Sequence, residues 1–210
     1  MYDPSKKIRL LMELRRAGIS DTAVLSAIEG VPREMFVPEA FRDRAYEDVA
    51  LPIACGQTIS QPYVVAFMTQ ALELQRRMLV LEIGTGCGYQ TAVLSPLVRR
   101  VYTIERQRDL LKEASGRFKQ LKLSNVVTRF GDGFKGWPEV APFDRIIGTA
   151  AAPVVPMNLV NQLTEGGMMI IPIGLSGNQT LTRVIRRGDS FETSPLMPVR
   201  FVPMLDGTEG

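Results

Sequence analysis

From Met78 onward, short apolar runs with strand character alternate with stretches of helical period. The runs "MLVLEI" (78–83), "RVYTIE" (100–105), "NVVTRF" (125–130), "FDRIIGTAA" (143–151) and "GGMMIIPIG" (166–174) have the length and the β-branched content of buried strands. Between them, "YQTAVLSPLV" (89–98) predicts a helix disturbed late by Pro96. "RDLLKEASGRFKQL" (108–121) predicts one with Leu110, Leu111 and Ala114 inward, and "PMNLVNQL" (156–163) a shorter one. Strands alternating with helices imply a doubly wound, Rossmann-like, mostly parallel α/β sheet with right-handed crossovers. The last third departs from that rhythm. "QTLTRVIRRGDSFETSPLMPVRFVPM" (179–204) holds two β-rich runs split by "RGDS", which predicts an antiparallel hairpin added at the sheet edge.

The first 60 residues read as short helices. "DTAVLSAIEG" places Ala23, Val24, Ala27 and Ile28 at helical spacing, with Ser20 or Asp21 as the cap and Gly30 and Pro32 as stops. "REMFVPEAFRDRAYED" (33–48) predicts a broken helical stretch. A clearer helix follows, with Val64, Phe67, Met68, Ala71 and Leu72 on one face and Ser60, just ahead of Pro62, near its N-cap. The expected division is a helical N-terminal cap over residues 1–60, which contributes an acceptor-side loop, and an α/β body over 61–210, within a single structural domain.

Composition narrows the chemistry. The chain has 210 residues, 45% of them hydrophobic, and a formal charge of +3, a mild excess that a solvated surface explains. Cys55 and Cys87 form no CxxC pair and suggest no metal site or disulfide framework, so a cytoplasmic location is expected. No apolar run of membrane-spanning length is present, and "MYDPSKKIRL" lacks the apolar core of a signal peptide, so no membrane partner is expected. Histidine is absent altogether. That excludes the Ser-His-Asp triad, the Cys-His pair and His-ligated zinc.

The candidate site begins at "LEIGTGCGYQ". Gly84, Gly86 and Gly88 follow a strand that carries Glu82, at the place where open α/β sheets bind ligands. The spacing is GxGxG, with Tyr89 where a dinucleotide fingerprint has its third glycine, and no GK[ST] follows. The segment resembles motif I of the class I S-adenosylmethionine (AdoMet) methyltransferases. That resemblance implies a turn beside the methionine part of AdoMet, with Glu82 near its cationic end and Thr85 and Tyr89 among the cofactor contacts. Glu105 ends the next strand, where a carboxylate can accept both ribose hydroxyls, a feature shared with NAD enzymes. Asp132 could accept the adenine amino group, and Gly133 would leave it space.

Six segments, the glycine turn among them, occur in order: "VPREMFVPEAF", "ALPIACGQTISQPYVVAFMT", "VLEIGTGCGYQTAVLS", "GDGFKGWPEVAPFDRIIGTAA", "LTEGGMMIIPIG" and "VRFVPM". Together they resemble the bacterial protein-L-isoaspartate O-methyltransferase family over nearly the whole chain. The resemblance implies methyl transfer from AdoMet, leaving S-adenosylhomocysteine (AdoHcy), to the α-carboxylate of L-isoaspartyl, or D-aspartyl, residues in damaged proteins and peptides. It makes Ser60 the active-site serine, Thr58 and Ile59 a wall between donor and acceptor, and Val202 part of a peptide groove; family members are often monomers. A carboxylate is already ionised at pH 7, which suits a chain without an imidazole base. Tyr63 stands where many members have histidine, Cys87 where serine is common, and Gly148 where a larger apolar residue is usual, a change that would loosen packing. Trp137 is expected to pack rather than to bind ligand. Three other readings stay open: an AdoMet methyltransferase of RNA or a small molecule, a non-catalytic AdoMet-binding module and, more distantly, an NAD oxidoreductase. Neither a base-amination motif nor a basic stripe with aromatics speaks for nucleic acid.

Overall fold

The structure, a computed structural model, describes residues 4–210. Helix α1 (Pro4–Arg16) and helix α2 (Thr22–Gly30) open the chain. Asp21 caps α2 by accepting the N–H groups of Ala23 and Val24, which settles the choice between Ser20 and Asp21. The broken stretch beyond consists of two 3-10 turns, Arg33–Met35 and Glu39–Arg44. A two-stranded hairpin follows, β1 (Leu51–Pro52) and β2 (Thr58–Ile59). It was not visible in the sequence, because two-residue strands leave no period to read. Helix α3 (Pro62–Ala71) comes next.

The body contains β3 (Leu79–Ile83), α4 (Tyr89–Leu94), β4 (Arg100–Glu105), α5 (Arg108–Gln120), β5 (Val126–Phe130), β6 (Phe143–Gly148), α6 (Met157–Val160), β7 (Leu163–Leu175), β8 (Asn178–Arg187) and β9 (Ser190–Val199). They form one seven-stranded sheet in the order β5-β4-β3-β6-β7-β8-β9. The first five strands of that order are parallel, and β7, β8 and β9 run as an antiparallel meander. The expected mostly parallel fold and its terminal hairpin are therefore present. Strand β7 begins three residues before the Gly166–Gly167 pair expected to open it, and the helix expected over 156–163 shrinks to one turn.

Alternation along β3 divides the core between the two sheet faces. Val80 joins Met68 of α3, Leu72 just past its end, Leu94, Val101 and Ile170 on one face. Leu81 and Ile83 join Ile146, Leu159, Met169 and Ile171 on the other. Helix α3 is apolar nearly all round. Val64, Phe67 and Ala71 of the expected face are only half-buried against the sheet, while Val65, Ala66 and Thr69 are buried on other sides of the helix. The N-terminal elements contribute Leu10, Leu14, Val24, Ile28 and Phe36 to a third cluster, which runs on into Tyr89, Ala92 and Val93 of α4. On α5, Phe118 is buried with Leu110 and Ala114, and Leu111 is half-exposed.

Two expectations about packing change. Gly148 leaves no gap, because a Cβ there would lie 2.6 Å from Cγ1 of Ile171, whose side chain already fills the space. Ser60 does not cap α3. The N-cap is Gln61, without a side-chain cap bond, and the N–H of Tyr63 donates instead to Oδ1 of Asp48 at 2.7 Å.

Candidate active site

In the sheet, β3 lies between β4 and β6, the point where the strand order reverses and where such sheets bind ligands. A cleft opens there. The glycine turn contributes Gly84, Thr85 and Gly86, and Tyr89 follows at the start of α4. Glu105 comes from the end of β4, Gly133 from the turn after β5, and Val202 from the segment after β9. The β1–β2 hairpin delivers Thr58, Ile59 and Ser60. Ten of the thirteen residues singled out in the sequence thus converge on one cavity.

The other three lie behind it. Glu82 is fully buried under the turn, where its Oε2 accepts the hydroxyls of Thr91 and Thr103 and its Oε1 has no partner among the described residues. Burial pushes its carboxyl up to about 8, partly opposed by those two hydroxyls. It does not line the cleft and lies beneath the turn, behind the residues that do. Gly88 is the N-cap of α4 with φ 91°, and a Cβ there would lie 2.6 Å from the Phe118 ring. Its glycine is required by packing, not by ligand approach. Asp132 accepts the N–H groups of Phe134 at 2.9 Å and Gly207 at 3.0 Å, which ties the turn after β5 to the tail of the chain.

Several bonds hold the glycine turn. The N–H groups of Gly84 and Thr85 both donate to the Ile104 carbonyl, at 2.8 and 3.2 Å. Thr149 clamps the other side, its N–H on the Ile83 carbonyl and its hydroxyl between the carbonyls of Ile83 and Gly84. At Gly84, φ is 96° and a Cβ would collide with that hydroxyl. Glu105 is 6% exposed and accepts the N–H of Gly86 through Oε2 and that of Gln107 through Oε1. A carboxylate offers about four lone-pair sites, so roughly two remain for vicinal hydroxyls. Ile83, Ile104 and Met204 supply an apolar wall for a flat base. The residues present therefore fit an adenosyl ligand with an amino-acid tail. Trp137 is not part of the lining. It packs edge-on against Tyr102 with centroids 5.4 Å apart and under the Arg129 guanidinium, as expected.

A second cavity adjoins the first. Its walls are Ala50, Gln61 and Val64, with Gly177 of the β7–β8 turn, the first residues of β8 (178–180) and residues 197–202. Thr58, Ser60, Thr149 and Val202 line both cavities and form the partition between them. Sequence reading missed Thr149, although it directly follows β6 at the carboxyl edge of the sheet, where ligand-facing residues collect. It also missed Asp48, whose Oδ2 accepts the amide of Gln61 at 3.0 Å, and the wall from the β7–β8 turn; both are brought in only by tertiary folding.

A glycine turn at the switch point, with the Glu105 carboxylate one strand away, marks a Rossmann-like nucleoside-binding fold, and the solved structures it matches make that fold a methyltransferase's. A protein-L-isoaspartate O-methyltransferase superposes with a TM-score of 0.86 at 30% identity, covering 94% of this chain and 65% of that one. A Plasmodium falciparum protein assigned as a protein-L-isoaspartate O-methyltransferase, crystallised with S-adenosyl-L-homocysteine, superposes at 0.82 with 27% identity, covering 94% and 97%. By sequence, residues 5–209 match the family described as protein-L-isoaspartate(D-aspartate) O-methyltransferase. Curated relatives of that name from Rhodospirillum rubrum and Parvibaculum lavamentivorans are 61% and 60% identical, over 99% and 96% of this chain and 96% and 92% of theirs. The chain belongs to the protein-L-isoaspartate(D-aspartate) O-methyltransferase family.

Proposed function

We propose that this chain is a protein-repair methyltransferase that uses AdoMet to esterify the α-carboxylate of L-isoaspartyl residues, and of D-aspartyl residues that present the same group. The observation that carries this reading is the pair of cavities divided by Thr58, Ser60, Thr149 and Val202, next to a turn and carboxylate suited to an adenosyl group. Bound AdoMet supplies an electrophilic methyl group on a positively charged sulfur.

The chain's residues bind and orient. Glu105 accepts the ribose hydroxyls, the glycine turn meets the methionine portion, and Gly133 leaves room for the base. Thr58 and Ile59 wall off the donor. The Ser60 hydroxyl donates to one oxygen of the acceptor carboxylate, which leaves the other free to attack. The Thr149 hydroxyl is engaged by Ile83 and Gly84 and stays with the turn. No group has to remove a proton, because the acceptor is ionised near neutral pH. Alignment and exclusion of water then carry the rate, a contribution of roughly 7–11 kcal/mol in favourable cases. Residues 197–202 and the start of β8 offer a peptide an extended groove, which suits recognition of the misrouted main chain and not of a particular side chain.

The partner in this reading is a damaged protein or peptide, met by a monomer in the cytoplasm, without nucleic acid; free thiols at Cys55 and Cys87 support a reducing compartment. The test is incubation with methyl-labelled AdoMet and two peptides that differ only in Asp against isoAsp. Base-labile label on the isoAsp peptide alone is the expected result. Equal labelling of both, or of RNA in their place, overturns the reading.

A further inference from the structure

Among the described residues Arg33 is the largest fully buried side chain, at 0% exposure, and no part of the site described so far uses it. A buried cation is costly unless its donors are matched. Its Nε donates to the Ala45 carbonyl at 2.9 Å, and its Nη2 to the Ser60 carbonyl at 2.7 Å. The guanidinium lies over the Tyr89 ring, its carbon 4.6 Å from the centroid, and Nη1 has no hydrogen-bond partner among the described residues. Tyr89 is held in turn by Phe36, edge-on at 5.5 Å. One side chain thus touches the backbone of the acceptor loop and the first residue of α4 on the donor side.

Asp48 grips the next residues of the same loop. It accepts the Gln61 side-chain amide at 3.0 Å and the Tyr63 N–H at 2.7 Å. The Ser60–Tyr63 segment is therefore fixed from two directions, by one cation and one anion.

We propose that Arg33 is a positioning residue for methyl transfer, which sets the Ser60 loop against the cofactor loop so that the partition between the two cavities keeps its reactive geometry. This rests on the function proposed above and deepens it. Neither contact is interchangeable with that of a lysine: an ammonium can replace one donor but not the planar fork, nor the stacking on Tyr89.

The experiment compares wild type, R33K, R33M and, as a control for lost stability, L159A, which is buried in the cluster on the opposite sheet face. Each is assayed at least 10 °C below its own melting temperature for AdoHcy affinity, and for kcat and KM with the isoAsp peptide. The wild-type arm tests the proposed function, so failure there is distinct from failure of this inference. The expected result is a tenfold or greater fall in kcat for R33K, with AdoHcy affinity within threefold of wild type, a further rise in peptide KM for R33M, and unchanged kinetics for L159A. Kinetics within twofold of wild type in folded R33K overturn the proposal. So does a loss that merely tracks AdoHcy affinity, or an equal loss in L159A. If neither Arg33 variant folds, the 15N-labelled Nε–H of Arg33 in the wild-type protein decides the matter. Its resonance should shift with AdoHcy and again with peptide, and a signal indifferent to both overturns the assignment.

Discussion

The backbone N–H of Gly86 donates to Oε2 of Glu105 across 2.7 Å, so the glycine turn after β3 is pinned to the end of β4 before any ligand enters. The same carboxylate also takes the Gln107 N–H on its other oxygen. Donor binding therefore adds to an existing network and does not have to organise one.

Replacing Glu105 by Gln keeps the shape and removes the charge. Hydrogen bonds to charged groups contribute about 1.5–3 kcal/mol each. AdoHcy affinity measured by calorimetry should fall tenfold or more, with a smaller change in peptide KM. An affinity within threefold of wild type would remove Glu105 from the donor site.

Gly84→Ala meets two obstacles, a φ of 96° and the Thr149 hydroxyl. A left-handed conformation costs a non-glycine residue roughly 1–2 kcal/mol, and each kcal/mol shifts the melting temperature by about 2–4 °C at this size. A loss of about 2–8 °C from the dihedral alone is expected, together with weakened AdoHcy binding. Adding Thr149→Ala relieves the collision but not the backbone conformation, so recovery should be partial. Full recovery of the melting temperature would show that the dihedral has no cost.

Glu82 gives the protein a pH signature. Its folded carboxyl titrates at about 8, above the ordinary unfolded value near 4.5, so the native state holds a proton that the unfolded chain releases. That stabilisation is complete below about pH 4.5 and is lost as pH rises through 8, with a slope of at most about 1.4 kcal/mol per pH unit. The chain has no histidine to mask the effect between pH 5 and 8. Urea midpoints should decline over that range in the wild type and stay level in Glu82→Gln. Parallel profiles for the two proteins would refute the assignment.

Ser60→Ala should lower turnover of the isoAsp peptide roughly tenfold or more, the loss of one hydrogen bond to a charged group, while AdoHcy affinity changes less than threefold. A peptide KM and kcat that both match wild type would leave Ser60 as a wall residue only.

Much of this was legible in the chain. The strands from β3 to β7 and the terminal hairpin follow from apolar periods that burial in the sheet enforces, and ten of the residues read as site residues do face one cleft. What escaped notice has no local signature. The partner of the Tyr63 N–H lies 15 positions upstream at Asp48, and that of the Ser60 carbonyl 27 positions upstream at Arg33. Gly88 was legible as special, but the reason, the Phe118 ring 30 residues away, belongs to packing. The motif that sets Glu82 near the cationic end of a ligand gives the residue type without its solvent access, and the side chain lies fully buried beneath the turn.

Under the proposed function, four residues that line both cavities restrict how such an enzyme can diverge. Change at Thr58, Ser60, Thr149 or Val202 alters both berths at once, so a gain for one guest disturbs the other. Taste for different damaged sequences can drift freely only along the outer rim, at Asn178, Met197 or Arg200, where the nucleoside never feels the substitution.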